Sequence, residues 1–142
     1  MFANQYGVQE VSPGEDAGKL RLIKQMNHML SAQVAMDHGF KGQVSGTSMA
    51  SAGGAIAIGE AFRLIKHGYA DKVLAGGFDY NVNANCVGGM NAFKAVTRSC
   101  NDDPEGAMRP FDAGRSGTVI SDGGALLMLE SEESAMKRGV YD

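Results

Sequence analysis

Hydrophobic residues cluster most densely between Ser51 and Lys66, directly after a run of small and polar residues. Their alanine, isoleucine, leucine and phenylalanine side chains cover more than one face at helical spacing. This pattern predicts a helix that is buried on all sides rather than amphipathic. His67-Gly68 closes it with the basic residue and glycine that are typical of helix C-termini.

Two buried strands are predicted on either side of a longer polar stretch. Lys72–Asp79 and Ala125–Glu130 are short apolar runs next to glycines, a pattern consistent with strands that are covered on both faces. Between them, Asn81–Val96 contains the pattern of a short helix ending near Ala95, and Ser99–Arg109 has the composition of a loop. The order of helix, glycine turn and buried strand indicates an α/β layered fold.

Helical spacing also predicts a helix from Glu15 to His38, closed by Gly39, and a last helix over 131–138. Residues 1–14 are polar, and their packing cannot be inferred. We therefore expect an N-terminal polar segment over 1–14 and one domain over 15–142.

The composition is that of a soluble globular domain or a piece of a larger one: 142 residues, 44% of them hydrophobic, with a net charge of −3. Scattered lysines and arginines give no reason to expect nucleic-acid binding. No apolar run is long enough to cross a bilayer, and no secretory signal pattern begins the chain. We expect a protein of the cytoplasm or an organelle matrix. Cys86 and Cys100 lack metal-ligand spacing, so free thiols and no metal are expected.

The candidate chemistry lies at the start of the central helix. The hydroxyls of Ser48 and Ser51 stand where unpaired backbone N–H groups and the helix dipole favour negative charge, which suits a nucleophile. The alternative is that Thr47, Ser48 or Ser51 only caps the helix.

The hexamer Gly46-Thr47-Ser48-Met49-Ala50-Ser51 resembles the nucleophile motif of subtilisin-like serine proteases, with Ser48 as the attacking residue. That motif continues with proline, whereas this chain has Ala52. The protease triad also needs a histidine and an aspartate from well upstream. Only His28 and His38 precede Ser48, both on a predicted helix, so the protease interpretation is the weaker one.

A second resemblance covers most of the chain. Ser48-Met49-Ala50-Ser51 is its centre, and the other similar stretches follow in a fixed order: Gly39-Phe40-Lys41-Gly42, Phe62 to Asp71, Ala75-Gly76-Gly77-Phe78-Asp79, Arg109-Pro110-Phe111-Asp112, Arg115 to Gly123, and Leu126 to Glu130. Together they resemble the β-ketoacyl-acyl carrier protein synthases, the condensing enzymes of fatty acid and polyketide synthesis. In that family Ser51 occupies the position of the cysteine nucleophile.

The resemblance implies a partial thiolase-like layered fold, with a buried central helix against a mixed β-sheet, lacking the family's N-terminal unit and C-terminal half. It implies a set of site residues: Ser51 at the catalytic nucleophile position, Met49, Ser116 and Thr118 at the substrate pocket, and Asp79 and Asp122 in supporting roles. No cofactor is implied, because acyl groups arrive on acyl carrier protein or coenzyme A. The expected partners are acyl carrier protein and either further copies of the chain or a complementing chain.

The chain also departs from this family. Ser51 replaces cysteine, Ser116 an aspartate, Thr118 a phenylalanine and Ser121 a glycine. A thiol is partly ionised at neutral pH, whereas a serine hydroxyl needs a strong base. The half that carries the family's catalytic histidines and lysine is missing. Two hypotheses follow: a piece of a condensing enzyme that is inactive alone, or a catalytically silent homologue that serves a structural role in a larger assembly.

Overall fold

The computed structural model describes residues 2–4, 26 and 28–140. The strands and helices of this part of the chain follow one another as β1 (Phe2–Asn4), α1 (Met29–Asp37), β2 (Gly46–Thr47), α2 (Gly53–Lys66), β3 (Lys72–Asp79), α3 (Ala84–Ala92), β4 (Gly123–Glu130) and α4 (Glu132–Lys137). They form two compact units. The first contains the described residues up to Asp79 and from Gly124 onward, and the second is Tyr80–Gly123.

The first unit is built on a mixed sheet with the strand order β2-β1-β3-β4. β1 is parallel to both of its neighbours. β4 is antiparallel to β3, because Gly124 lies against Phe78 near one end and the Ser131 N–H donates to the Asp71 carbonyl (2.9 Å) at the other. Both strands predicted from apolar runs are confirmed, and so is the α/β fold with a mixed sheet.

Strand β1 is an element that the sequence did not predict. Phe2 pairs with Gly46 on one side and with Gly76 on the other. A strand of three residues is too short to show an alternating pattern. The proposed domain boundary near residue 15 and residues 15–25 and 27 of the helix predicted from Glu15 lie outside the described residues, and they stay predictions. At Met26 and His28 the helix prediction is wrong, because the chain forms a bend and a turn there and α1 begins at Met29.

Helix α2 packs on the sheet through its smallest residues. Gly53, Ala57 and Ala61 recur every four positions and are buried. A Cβ added to Gly54 would lie only 3.7 Å from the backbone nitrogen of Gly77, so helix and strand approach closely where both have glycine. Burial on every side, which the sequence predicted, is wrong: the helix is buried along this stripe, whereas other residues, such as Phe62 at 55% exposure, are open.

Strand β4 lies at the edge of the sheet and is exposed on both faces. Leu126, Leu127 and Met128 are 46%, 53% and 55% exposed, and successive strand residues point to opposite faces. The prediction of a strand is confirmed, but the prediction of its burial is wrong. An apolar run indicates that a segment can be buried in a hydrophobic core. Whether it is buried depends on which other elements of the fold pack against it.

The histidines predicted at helix ends are C-caps. His67 caps α2, Gly68 follows with a φ of 73°, and the Tyr69 N–H donates to the Leu64 carbonyl (2.9 Å). Glycine adopts this left-handed conformation without a steric penalty and so lets the helix stop. α1 ends in the same way at His38.

A charged cluster holds α4 to the sheet. Glu130, at the end of β4, pairs with Arg138 (2.7 Å) and with Lys72 of β3 (3.0 Å), and it accepts a hydrogen bond from the Ser134 hydroxyl (2.8 Å). The pKa of Glu130 is lowered to about 2 by its hydrogen bonds, of which the bond from the Arg138 guanidinium has the largest effect, followed by those from Ser134 and Lys72. This carboxylate therefore stays charged well below the usual pH of glutamate titration.

The second unit combines a capped helix with one backbone pairing. The Asn83 side chain caps α3 by accepting from the Cys86 N–H (2.9 Å). Further along, the Thr97 N–H donates to the Thr118 carbonyl (3.0 Å), and the Thr118 N–H donates to the Ala95 carbonyl (2.9 Å). The short helix predicted in this region is confirmed.

Candidate functional site

The segment that joins β2 to α2 makes a tight turn at Ala50. The Ala52 N–H donates to the Met49 carbonyl (3.2 Å), and the Gly53 N–H donates to the Ala50 carbonyl (3.0 Å). Ala50 has a φ of 47°, in the left-handed region that costs an alanine about 1–2 kcal/mol. Such residues concentrate at functional sites, where the surrounding fold holds them in place. The turn is therefore a candidate site on its backbone geometry alone.

Ser51 follows this alanine and stands one residue before the helix cap. The N-cap of α2 is Ala52, and no side chain caps the first turn. Ser51 is exposed, and its hydroxyl makes no hydrogen bond to any described residue. The capping role considered for Thr47, Ser48 and Ser51 is therefore wrong for α2. The Ser51 hydroxyl is available for chemistry.

The N-terminus of α2 can stabilise negative charge at this site, but no described residue is positioned as a base for the serine hydroxyls. The N-terminus of the 14-residue helix α2 favours negative charge that develops beside it. A serine nucleophile also needs a group that accepts its proton. Within the described residues no histidine is hydrogen-bonded to Ser48 or Ser51, and His28 and His38 cap the two ends of α1. The described part of the chain thus shows no protease triad.

Met49 and Asp79 belong to the same unit as Ser51. Met49 is 57% exposed and opens the turn that contains Ala50. Asp79 is the last residue of β3, and its Oδ1 atom is buried without a hydrogen-bond partner among the described residues. A buried carboxylate oxygen without a partner is rare in folded proteins, so this strand end is a second candidate feature of the first unit.

Asp122 organises the start of the second unit. Its Oδ1 atom accepts from the Asn81 N–H (2.6 Å) and from the Val82 N–H (2.8 Å). Hydrogen bonds to a charged acceptor are stronger than neutral ones, so this carboxylate fixes the backbone that follows β3. The supporting role of Asp122 in a site stays a prediction.

Ser116 and Thr118 also lie in the second unit. The Ser116 hydroxyl is 2.5 Å from the Thr97 hydroxyl. Thr118 lines a cavity of about 340 Å³ together with Val96 and Ile120. This volume falls within the range of small-molecule pockets. Of the predicted pocket residues, Thr118 is the one that lines this cavity.

Two kinds of feature cannot be predicted from the sequence: one backbone conformation and the hydrogen bonds between residues far apart in the chain. The left-handed conformation of Ala50 cannot be inferred from the identity of the residue, because alanine rarely adopts it. The hydroxyl pair of Thr97 with Ser116 and the contact of Asp122 with Asn81 join residues 19 and 41 positions apart, and no local pattern reports them.

The described part of the chain has neither a metal-ligand cluster nor a membrane-spanning helix. It contains no group of three or more histidine, cysteine, aspartate or glutamate residues that could hold a metal ion. None of its helices has the length and apolar character that a membrane span requires.

Solved structures with the same fold are ketosynthases. A beta-ketoacyl synthase from Burkholderia phymatum superposes with a TM-score of 0.81 at 31% identity, covering 99% of this chain and 37% of that one. A type II polyketide ketosynthase, solved in complex with its acyl carrier protein and bound to a hexaketide, gives the same TM-score at 30% identity and covers 85% of this chain and 30% of that one. The fold is thus the thiolase-like fold of the condensing enzymes.

The chain belongs to the family of the beta-ketoacyl synthase N-terminal domain, which it matches over residues 2–135. It is 37% identical over 139 residues to a Schizosaccharomyces pombe protein named as a mitochondrial 3-oxoacyl-(acyl-carrier-protein) synthase, covering 97% of this chain and 31% of the relative. It is 41% identical over 111 residues to 3-oxoacyl-(acyl-carrier-protein) synthase 2 of Staphylococcus aureus, covering 78% of this chain and 27% of that protein. The chain thus spans about a third or less of these curated relatives.

Proposed function

We propose that this chain is the part of a β-ketoacyl synthase that carries the acyl-acceptor position, and that Ser51 accepts an acyl group from a carrier thioester. The observation that supports this proposal is the Ser51 hydroxyl itself: it is exposed, unpaired among the described residues, and adjacent to the left-handed Ala50 at the start of α2. Family membership supports it as well, since the resemblance of Ser48-Met49-Ala50-Ser51 to the family's nucleophile segment implies the nucleophile position for Ser51.

The proposed step is a transesterification. The Ser51 oxygen attacks the thioester carbonyl carbon, the carbon–sulfur bond breaks, and the carrier leaves as a thiol after the hydroxyl proton has been transferred through solvent. Unpaired N–H groups in the first turn of α2 stabilise the negative charge that develops on the carbonyl oxygen. No metal or organic cofactor takes part. The product is an oxygen ester, which is less activated than a thioester for a condensation that follows.

Acyl carrier protein is the proposed donor, with coenzyme A as the alternative. The solved polyketide ketosynthase that shares this fold forms a complex with its acyl carrier protein. Within the first unit, the proposal assigns Met49 to the contact with the acyl group and Asp79 to a supporting role. Within the second unit, it assigns Ser116 and Thr118 to the substrate pocket and Asp122 to a supporting role. The chain acts in the cytoplasm or an organelle matrix, and the mitochondrial name of one relative supports the second location.

Mass spectrometry of the acylated chain tests this proposal. The chain is incubated with octanoyl-acyl carrier protein or octanoyl-coenzyme A, and the adduct is located by peptide mapping. We expect one octanoyl group on Ser51, none in Ser51→Ala, and an unchanged yield in Ser48→Ala, the matched control for a nearby exposed serine. Ser51→Cys should be acylated faster, because a thiol is partly ionised at neutral pH. An unmodified wild-type chain beside an acylated Ser51→Cys variant would contradict the role of Ser51.

A silent structural role is the second candidate, and one observation favours it. No described residue accepts a hydrogen bond from the Ser51 hydroxyl, as a base for this nucleophile would. In this case the chain assembles with a condensing enzyme or with itself through surfaces such as exposed β4. Native mass spectrometry would then show a complex that Ser51→Ala leaves intact and that acyl donors do not modify.

A further inference from the structure

The first unit contains a cavity at the C-terminal end of α2, whereas Ser51 lies at the N-terminal end of this helix. Its volume is about 400 Å³, and residues of α1, α2, β3 and β4 line it, among them Ala35, Leu64, Leu74 and Met128. Leu64 is about 16 Å along the helix axis from the first residue of α2. The cavity is therefore a feature separate from the Ser51 turn.

One buried polar group of the lining has no partner among the described residues. Ser31 of α1 lines the cavity and is only 3% exposed, yet its hydroxyl oxygen is buried without a hydrogen bond among the described residues. A buried hydroxyl without a partner is destabilising, because it has lost its hydrogen bonds to water. A mostly apolar cavity with one such group is the usual composition of a small-molecule site, in which the polar group fixes the orientation of the ligand.

A positive charge completes the lining. Lys41 and Lys72 both line the cavity. Lys72 is paired with Glu130 (3.0 Å), whereas Lys41 forms no ion pair within the described residues. Because burial of an apolar chain is favourable and an unpaired ammonium group attracts an anion, the complementary ligand is apolar with one negative end.

We propose that this cavity binds an aliphatic carboxylate, with its chain among Ala35, Leu64 and Met128 and its carboxylate contacting Lys41 and the Ser31 hydroxyl. The site is independent of acyl transfer at Ser51. A bound carboxylate gives the buried hydroxyl the acceptor that it lacks and neutralises a lysine that has no ion-pair partner.

Calorimetric titration of the full chain with decanoate tests the proposal, with decanol as the uncharged probe of similar length. We expect one decanoate per chain and weaker binding of decanol. Lys41→Gln should weaken decanoate binding about tenfold, equivalent to about 1.4 kcal/mol, and leave decanol binding unchanged. Lys66→Gln is the matched control, since this exposed lysine is outside the lining.

Two further variants separate binding from folding. Ser31→Ala should weaken decanoate binding and leave the free chain as stable as before, because it removes an unpaired buried group. Ala35→Leu, which fills the cavity, should abolish binding of both probes, and Ser51→Ala should change neither. The proposal is wrong if decanoate does not bind to the wild-type chain, or if Lys41→Gln weakens decanoate and decanol equally.

Discussion

Replacing Gly76 by alanine tests the pairing of β3 with β4. A Cβ built on Gly76 would collide with the carbonyl oxygen of Ala125 and would lie 2.9 Å from the Leu126 Cα and 3.0 Å from the Ala125 carbonyl carbon. All of these atoms are backbone, so no side-chain rotation relieves the contact. The two strands must move apart if the alanine is to fit.

The size of the effect follows from this geometry. Overpacking of a well-packed site costs about 1–3 kcal/mol, and we expect Gly76→Ala to lower the free energy of unfolding by an amount at the upper end of this range. Gly59→Ala is the matched control, since an added Cβ meets nothing within 4 Å and the residue lies inside α2. Alanine is the better helix former, so this variant should gain about 0.5–1 kcal/mol.

Urea unfolding followed by circular dichroism measures both changes, and hydrogen exchange of the β4 amides localises them. Gly76→Ala should reduce the protection of Gly123–Glu130, whereas Gly59→Ala should not. If Gly76→Ala keeps the wild-type stability within about 0.5 kcal/mol and β4 stays protected, the strand register described above is wrong.

Three other predictions follow from single contacts. Lys94 follows the C-cap of α3 with a φ of 56°, so Lys94→Gly should raise the free energy of unfolding by about 0.5–1 kcal/mol in urea titrations. Lys66→Gly, at the last residue of α2, should lower it instead. Asp122→Ala leaves two backbone N–H groups without their acceptor and should cost about 1–3 kcal/mol, with faster exchange of the Asn81 and Val82 amides; unchanged exchange would contradict its supporting role. The lowered pKa of Glu130 means that its stabilisation is complete above the unfolded pKa of 4.5 and is lost as the pH falls toward 2. The midpoint temperature of thermal unfolding should therefore fall as the pH is lowered through this window in the wild type. It should fall less steeply in Glu130→Gln.

The sequence predicted most elements of the first unit because their signals are local. The apolar helix before His67 and the glycine-bounded strand at Lys72–Asp79 each contain a periodic or continuous pattern of sufficient length. Burial was less predictable. The apolar residues of β4 indicate a core, but their exposure depends on elements elsewhere in the fold, which no local pattern reports.

The sequence proposes Ser51 as a site residue, but it does not predict the geometry of the turn around it. Ser51 was identified from its place before an apolar helix and from a family resemblance, yet residue preferences favoured a cap. The left-handed Ala50 and the cap at Ala52 leave the serine hydroxyl free, and a backbone dihedral angle of this kind is set by the whole turn. The partners of Asp122 and Ser116 lie far away in the sequence, so only the folded chain shows them.

The position of the second unit within the chain has a consequence for how such proteins can diversify. The chain leaves the sheet after Asp79 and returns at Gly123, although β3 and β4 are adjacent antiparallel strands that a two-residue turn could join. Tyr80–Gly123 is in this sense an insertion into a hairpin. Because the entropic cost of closing a loop grows only slowly with its length, this insertion can lengthen, shorten or change sequence while the pairing of the two strands persists. New pocket residues can thus be acquired in this region without rebuilding the scaffold that holds Ser51.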